Sequence, residues 1–162
     1  GGVTFSLSHE LDLIQYFFDI PLSVYAIGGD SGGLDIDVDC MVAALFRCGK
    51  EPSTFPVQLH LSFLQGEEQR EFTILLEGGV LHCDLVQQKL QIVNHKKETV
   101  LLKNHSGFQR NDLFISEINH FLDCLKNQKQ SRIPVLEGKK SLSISLAILK
   151  SLKTKIPESI DV

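Results

Sequence analysis

The chain has 162 residues, of which 43% are hydrophobic and 22% charged, and it carries a net charge of −4 with a pI near 5.8. Such a length buries the core of one domain, and such a composition is that of an ordinary globular protein, which argues against disorder. Basic residues form no cluster beyond the doublets Lys96-Lys97 and Lys139-Lys140, so a phosphate-neutralising nucleic-acid surface is disfavoured.

The chain opens on Gly1-Gly2, with no basic segment ahead of an apolar run, so it reads as a piece of a longer polypeptide with no secretory signal. A first helix is expected over residues 7–18, where Leu7, Leu11, Ile14 and Phe18 recur at helical spacing. Ser6 or Ser8 is placed to cap its start, and Pro21 ends it. A strand follows over 22–27, closed by Gly28-Gly29, and residues 30–33 form a turn or exposed loop.

The middle of the chain is rich in strands. Over 37–46, Val38, Cys40, Val42, Ala44 and Phe46 share one face, and Gly49 marks the following turn. Over 53–64, Phe55, Val57, Leu59, Leu61 and Phe63 alternate with Thr54, Gln58, His60 and Ser62. Pro56 suits an edge strand, because it cannot donate to a ladder. Segments 70–76 and 80–84 read as a hairpin around Glu77-Gly78-Gly79, and 89–93 and 99–103 as two further short strands. The polar–apolar alternation predicts one sheet face covered by helices and one broad open face, either solvated or used for assembly.

The last third is helical. Asn111 or Asp112 is placed to cap a helix running to Asn127, with Phe114, Ile118, Phe121, Leu122 and Leu125 as its apolar stripe. A second helix over 137–152 is expected to bury Leu142, Leu146 and Leu149, and 155–162 adds a short strand. One helix, many strands and two helices predict a single α+β domain over 1–162: a large open, predominantly antiparallel mixed sheet with helices on one face. The longest apolar runs fall short of a membrane span.

The glycines at 28, 29, 32 and 33 match neither GxGxxG nor GxxxxGK[ST], so a plain turn is favoured and no cofactor site is expected in this chain. Cys40, Cys48, Cys83 and Cys124 form no CxxC pair, which fits free thiols in a reducing, cytoplasmic setting; a Cys40–Cys83 disulfide is the less favoured alternative. The six histidines form no zinc spacing, and no metal is expected. No GxSxG elbow is present, and no cysteine has a sequence-level base.

One cluster stands out, Ser8-His9-Glu10-Leu11-Asp12. His9 and Asp12 are three residues apart and project from one helical face, where the carboxylate is placed to hold one imidazole tautomer. Tyr16 continues that face. A plain solvated helix side is the competing reading, and for an isolated pair it is the stronger one.

Five segments in order resemble the C-terminal domain of the Gfo/Idh/MocA oxidoreductases, the glucose–fructose oxidoreductase and inositol dehydrogenase family. They are GGVTFSLSHELDLIQYFF, HLSFLQ, Arg70 with LLEGGVLHCD, FQRNDLFISEINHFLDCLKN and LEGKKSLSISLAILKSLKT. The resemblance implies a substrate-binding and homo-oligomerising domain of an NAD(P)-dependent enzyme acting on a sugar- or polyol-like small molecule. His9, with Asp12, would exchange the substrate's hydroxyl proton while a hydride moves to or from the nicotinamide. Arg110 and Asn111 would contact substrate or cofactor, although capping is the stronger expectation for Asn111.

The Rossmann half that holds NAD(P) in that family has no counterpart in these residues, so the chain is expected to be inactive alone. Many members carry an aspartate three or four residues before the histidine, where this chain has Ser6 and Phe5. That departure favours the alternative, a stand-alone non-catalytic binding or assembly module. Lys50-Glu51-Pro52 resembles the family's Glu-Lys-Pro motif only superficially, since its order differs. A cofactor-free acid–base enzyme built on His9 and Asp12 is the least favoured reading.

Overall fold

The computed structural model describes residues 1–30, 34–103, 107 and 109–161. Gly32, Gly33 and His105 lie outside the described residues. The order of elements is α1 (Val3–Ser6), α2 (Ser8–Phe18), β1 (Ser23–Gly29), β2 (Met41–Lys50), β3 (Ser53–Ser62), β4 (Glu71–Leu76), β5 (Gly79–Asp84), β6 (Lys89–Asn94), β7 (Thr99–Lys103), α3 (Arg110–Asn127), α4 (Val135–Thr154) and β8 (Glu158–Ser159). The fold is α+β, as the order of elements predicted. Hydrogen bonding divides the strands into two open sheets of four, ordered β3-β2-β1-β8 and β4-β5-β6-β7, and every ladder is antiparallel. They belong to two compact units, Gly1–Leu64 with Arg132–Val162, and Gln65–Ser131.

In the first unit one face of the sheet is the core. Val24 and Ala26 of β1, Val42, Ala44, Phe46 and Cys48 of β2 and Leu61 of β3 pack with Leu11 and Ile14 of α2 and Ile144, Ala147 and Ile148 of α4. Phe46 is 1% exposed, and burying such a side chain stabilises the fold by roughly 1.5–3 kcal/mol. The residues between them, Tyr25, Ile27, Met41 and Leu45, lie on the other face and are exposed. β3 is an edge strand, so Pro56 costs no interior ladder bond.

Three local expectations need correction. The first helix is two: Leu7, at φ −106° and ψ 32°, separates α1 from α2, and neither Ser6 nor Ser8 caps a helix with its side chain. α4 buries Ile144, Ser145, Ala147, Ile148 and Ser151, while Leu142 and Leu146 are half exposed. Small side chains on this face let the helix lie close to β1, where the Ser151 hydroxyl accepts from Ala26 N–H at 2.9 Å and donates to Ile156 O at 2.8 Å. Asn111 lies inside α3 rather than at its cap; Asp112 reaches back to accept from Gln109 N–H at 3.2 Å.

In the second unit β4 to β7 form a meander. Pairing places Phe72 beside Cys83, Leu90 and Leu102, and Ile74 beside Leu81, Ile92 and Val100, so these two rows make one face largely apolar, with Asn94 at its end. On α3 the expected stripe of Phe114, Ile118, Phe121, Leu122 and Leu125 is more than half exposed, and Cys124 is the residue of that helix that is buried.

Candidate functional site

The cluster singled out by sequence sits where α1 turns into α2. Gly2, Val3 and Thr4 are buried beneath the sheet flank, with Val3 N–H bonded to Asp39 O at 2.7 Å. Thr4 N–H and its hydroxyl both donate to Asp39 Oδ2, at 2.8 and 2.7 Å. From this anchor α2 runs with Leu11 and Ile14 in the core and Phe18 edge-on to Phe55 of β3 at 5.5 Å. The opposite side of α2 presents His9 and Tyr16, and Tyr16 is 80% exposed with its ring edge-on to Phe17.

His9 and Asp12 are both displayed by α2, yet they are directed to different neighbours. Ser141 of α4 donates its hydroxyl toward Asp12 Oδ1 at 3.1 Å and Gln15 Oε1 at 3.2 Å. Gln15 in turn donates to Glu137 Oε2 at 2.9 Å, and Lys140 holds both oxygens of Glu137 at 2.8 and 3.0 Å. Asp12 is thus part of a half-buried polar seam between α2 and α4. The carboxylate near the His9 ring is Glu10, with Oε1 at 3.8 Å from Nε2. That distance is too long for a hydrogen bond, though not for charge attraction to an imidazolium. Helical spacing permitted the His9–Asp12 pair, and the packing of α4 supplied a competing partner.

Arg110 and Asn111 open α3 in the second unit, and both are exposed. His120, one turn before Cys124 on α3, brings its ring nitrogens to 3.6 and 3.9 Å from the thiol sulfur, and the thiol also reaches Gln130 O at 3.7 Å. The spacing of four that brings them together is legible in the sequence. His82 Nδ1 meets Thr73 Oγ1 across a strand pair at 3.0 Å, and His95 meets the carbonyl of Glu77. His60 is exposed on β3.

All four cysteines are free thiols. Burial pushes the Cys48 thiol up to about 11, and burial followed by the neighbouring Asp84 carboxylate raises Cys83, so neither is an activated nucleophile. Among the described residues no three acidic, histidine or cysteine side chains gather to hold a metal ion, and no helix is long and apolar enough to cross a membrane.

The described surface includes two shallow depressions. One of about 340 Å³ is lined by Cys83, Leu85, Leu90 and Leu102, and one of about 350 Å³ by Tyr25, Leu45, Phe55 and Pro56. Neither contains His9, Asp12 or Tyr16. His9 and Tyr16 stand exposed on the outer side of α2, whereas Asp12 is half-buried in the seam with α4.

No family profile matches the sequence, and no curated protein is similar to it. Solved structures do match its fold. UDP-N-acetylglucosamine 3-dehydrogenase GnnA from Acidithiobacillus ferrooxidans superposes with a TM-score of 0.74 at 19% identity, covering 94% of this chain and 47% of that one. The WlbA dehydrogenase from Bordetella pertussis, solved with NADH and UDP-GlcNAcA, gives 0.74 at 19% identity over 100% of this chain and 49% of its own. An NAD binding oxidoreductase from Klebsiella pneumoniae gives 0.80 at 13% identity over 96% and 49%. The chain therefore spans about half the length of the solved proteins it matches. At these identities the likeness is one of fold: an α+β arrangement that recurs as about half of several dehydrogenases.

Proposed function

We propose that this chain is the C-terminal, substrate-binding and oligomerisation domain of a Gfo/Idh/MocA-type, NAD(P)-dependent oxidoreductase acting on a sugar- or polyol-like substrate, and that it is inactive without a separate cofactor domain. The observation that carries this reading is the superposition of nearly the whole chain on about half of dehydrogenases whose names or bound molecules include a sugar nucleotide and NADH. The open stance of His9 and Tyr16 supports it too, because a second wall is needed to close a site around them.

Among the described residues, the glycine segments do not fit a dinucleotide. Gly28 and Gly29 lie within β1, paired with Val42 and Met41, instead of leading into a helix N-terminus. A side chain at Gly28 would meet Met41 O at 2.1 Å, so the close approach that glycine allows there serves strand pairing. Gly1-Gly2 does lead into a helix, but the Asp39 carboxylate occupies the start of α1, where it would repel a phosphate. No step through the cofactor is assigned to these residues. The role proposed for them is to receive the substrate hydroxyl near His9, with Tyr16 beside it; for Arg110 and Asn111, in the other unit, a substrate contact is proposed by resemblance alone. Asp12 is the acidic member of the pair by resemblance, and its proposed part is to hold α2 against α4 through Ser141.

The second reading, a non-catalytic binding or assembly module, is favoured by Ser6 and Phe5, which stand where many relatives by resemblance carry an aspartate. Amide NMR of the ¹⁵N-labelled chain separates the two. Added UDP-N-acetylglucosamine or myo-inositol is expected to shift resonances around His9, Asp12 and Tyr16, and NADH is expected to give no saturable change. Saturable binding of NADH to the chain by itself would overturn the division of labour proposed. Silence of α2 to both sugars would leave the module reading.

A further inference from the structure

We infer that Asp39, thirty residues downstream in the segment entering β2, is the positioning residue for His9. α1 has four residues, none charged, and no side-chain cap of its own. A single turn is too short to hold itself in helical form, because nucleation fixes several residues for one hydrogen bond. Its opening N–H groups are instead taken by Asp39, through the carbonyl for Val3 and the carboxylate for Thr4, and the Thr4 hydroxyl adds a third bond. Val3 and Thr4 are fully buried, so none of these groups has water as a substitute.

The residue that follows Asp39 is fixed to two strands. This residue, Cys40, donates from its N–H to Gly29 O at 3.0 Å and accepts at its carbonyl from Phe63 N–H at 2.9 Å, which ties this flank to the ends of β1 and β3. From Thr4 to His9 the chain offers little slack. Leu7 alone departs from helical angles, and it is bridged by Leu7 N–H to Val3 O at 3.0 Å and Glu10 N–H to Leu7 O at 3.1 Å. His9, the second residue of α2, is thus held from the far side by the core packing of Leu11 and Ile14 and from the near side by where Asp39 seats α1.

Gly2 completes the lock. Its φ of −79° is open to any residue, so the demand is spatial. A Cβ there would stand 1.8 Å from Asp39 Oδ1 and 2.7 Å from Asp39 O. A methyl group at position 2 and a carboxylate at position 39 cannot both keep these places.

The functional meaning rests on the reading of His9 as a proton-handling group; the geometric statement does not, and the experiment treats them separately. Ring signals of His9 and amide hydrogen exchange are to be followed in the full chain and in Asp39→Ala, Asp39→Asn and Gly2→Ala. In Asp39→Ala and Gly2→Ala the His9 ring signals are expected to move and the amides of residues 3–7 to exchange at least about tenfold faster. Protection at Ala26 and Ala44 in the sheet should stay within about twofold of the parent. Asp39→Asn, which keeps an acceptor oxygen, should restore the parent's His9 signals. Unmoved His9 signals in both disruptive variants would overturn the assignment, and so would an equal loss of protection in the sheet, which marks a merely structural residue. Should Asp39→Ala not fold, Gly2→Ala carries the same test with the carboxylate intact. A His9 ring that moves in these variants yet ignores added sugar defeats the proposed function and leaves the positioning role standing.

Discussion

The buried polar residues each have a task that can be named, and Glu158 shows how one carboxylate does its work. Glu158 is 7% exposed and lies beside the last turn of α4, where Lys150 and Thr154 both donate to it. The bond from Lys150, then that from Thr154, holds its carboxyl below the usual range despite burial. A depressed carboxylate contributes stability that is present above its unfolded pKa, near 4.3 for glutamate, and lost as pH falls through its folded value. Glu158→Gln is therefore expected to lower Tm at pH 7, and the gap to the parent should close as the pH is brought below about 4. Equal gaps at pH 7 and pH 3 would show that charge is not what Glu158 contributes. At the same scale, Asp12 shows why a residue's partner escapes sequence reading: spacing of three puts it beside His9, and Ser141, 129 residues away, engages it.

α4 is the element in which composition pointed to the wrong side. Leu142, Leu146 and Leu149 make an apolar stripe at helical spacing, and so do Ile144, Ala147, Ile148 and Ser151. Bulk favours the first and close packing selects the second, since a helix approaches a sheet more nearly along a row containing serine and alanine. The Ser145 hydroxyl, pointed inward, returns to Ser141 O at 3.1 Å, which removes the cost of burying it. Ile148→Ala should thus cost about 2–5 kcal/mol, whereas Leu146→Ala, at a half-exposed position, should cost under about 1 kcal/mol. Urea denaturation of the two variants checks the order, and a larger loss at Leu146 would place the buried face on the leucine side. By contrast, most strands were legible almost to their ends; β2 is the exception, running Met41–Lys50 where 37–46 was expected and keeping Gly49 inside its ladder instead of at the turn. Alternation over 53–64 and the Glu77-Gly78-Gly79 turn fix register and face locally, so β3, β4 and β5 fall where the pattern put them.

For the whole molecule, the exposed apolar surface is the feature in need of an explanation. Tyr25, Ile27, Met41 and Leu45 stand on the open side of the first sheet, and Ile27 and Leu45 are 54% and 47% exposed. Patches of this kind mark surfaces that associate, and the oligomerisation proposed above assigns this one to a second copy of the chain. Sedimentation is expected to show association that grows with concentration, and Leu45→Glu to shift the chain toward monomer without unfolding it. A strictly monomeric parent at high concentration would remove the oligomerisation half of the proposal. The stripe of α3 and, on the second sheet, Ile92, Val100 and Leu102 add to the exposed total.

The sequence by itself determined the α+β class, the order of elements apart from the break between α1 and α2, and the apolar faces of β2 and β3, because period-two and helical patterns are local and strong. It also isolated His9, Asp12 and Tyr16 on one helix. Tertiary structure alone decided the division into two four-stranded sheets, the serine-lined face of α4, the diversion of Asp12 to Ser141 and the seating of α1 on Asp39. Each of these depends on which groups meet across long stretches of chain, where several partners satisfy the same local pattern and only close packing and hydrogen-bond competition choose between them.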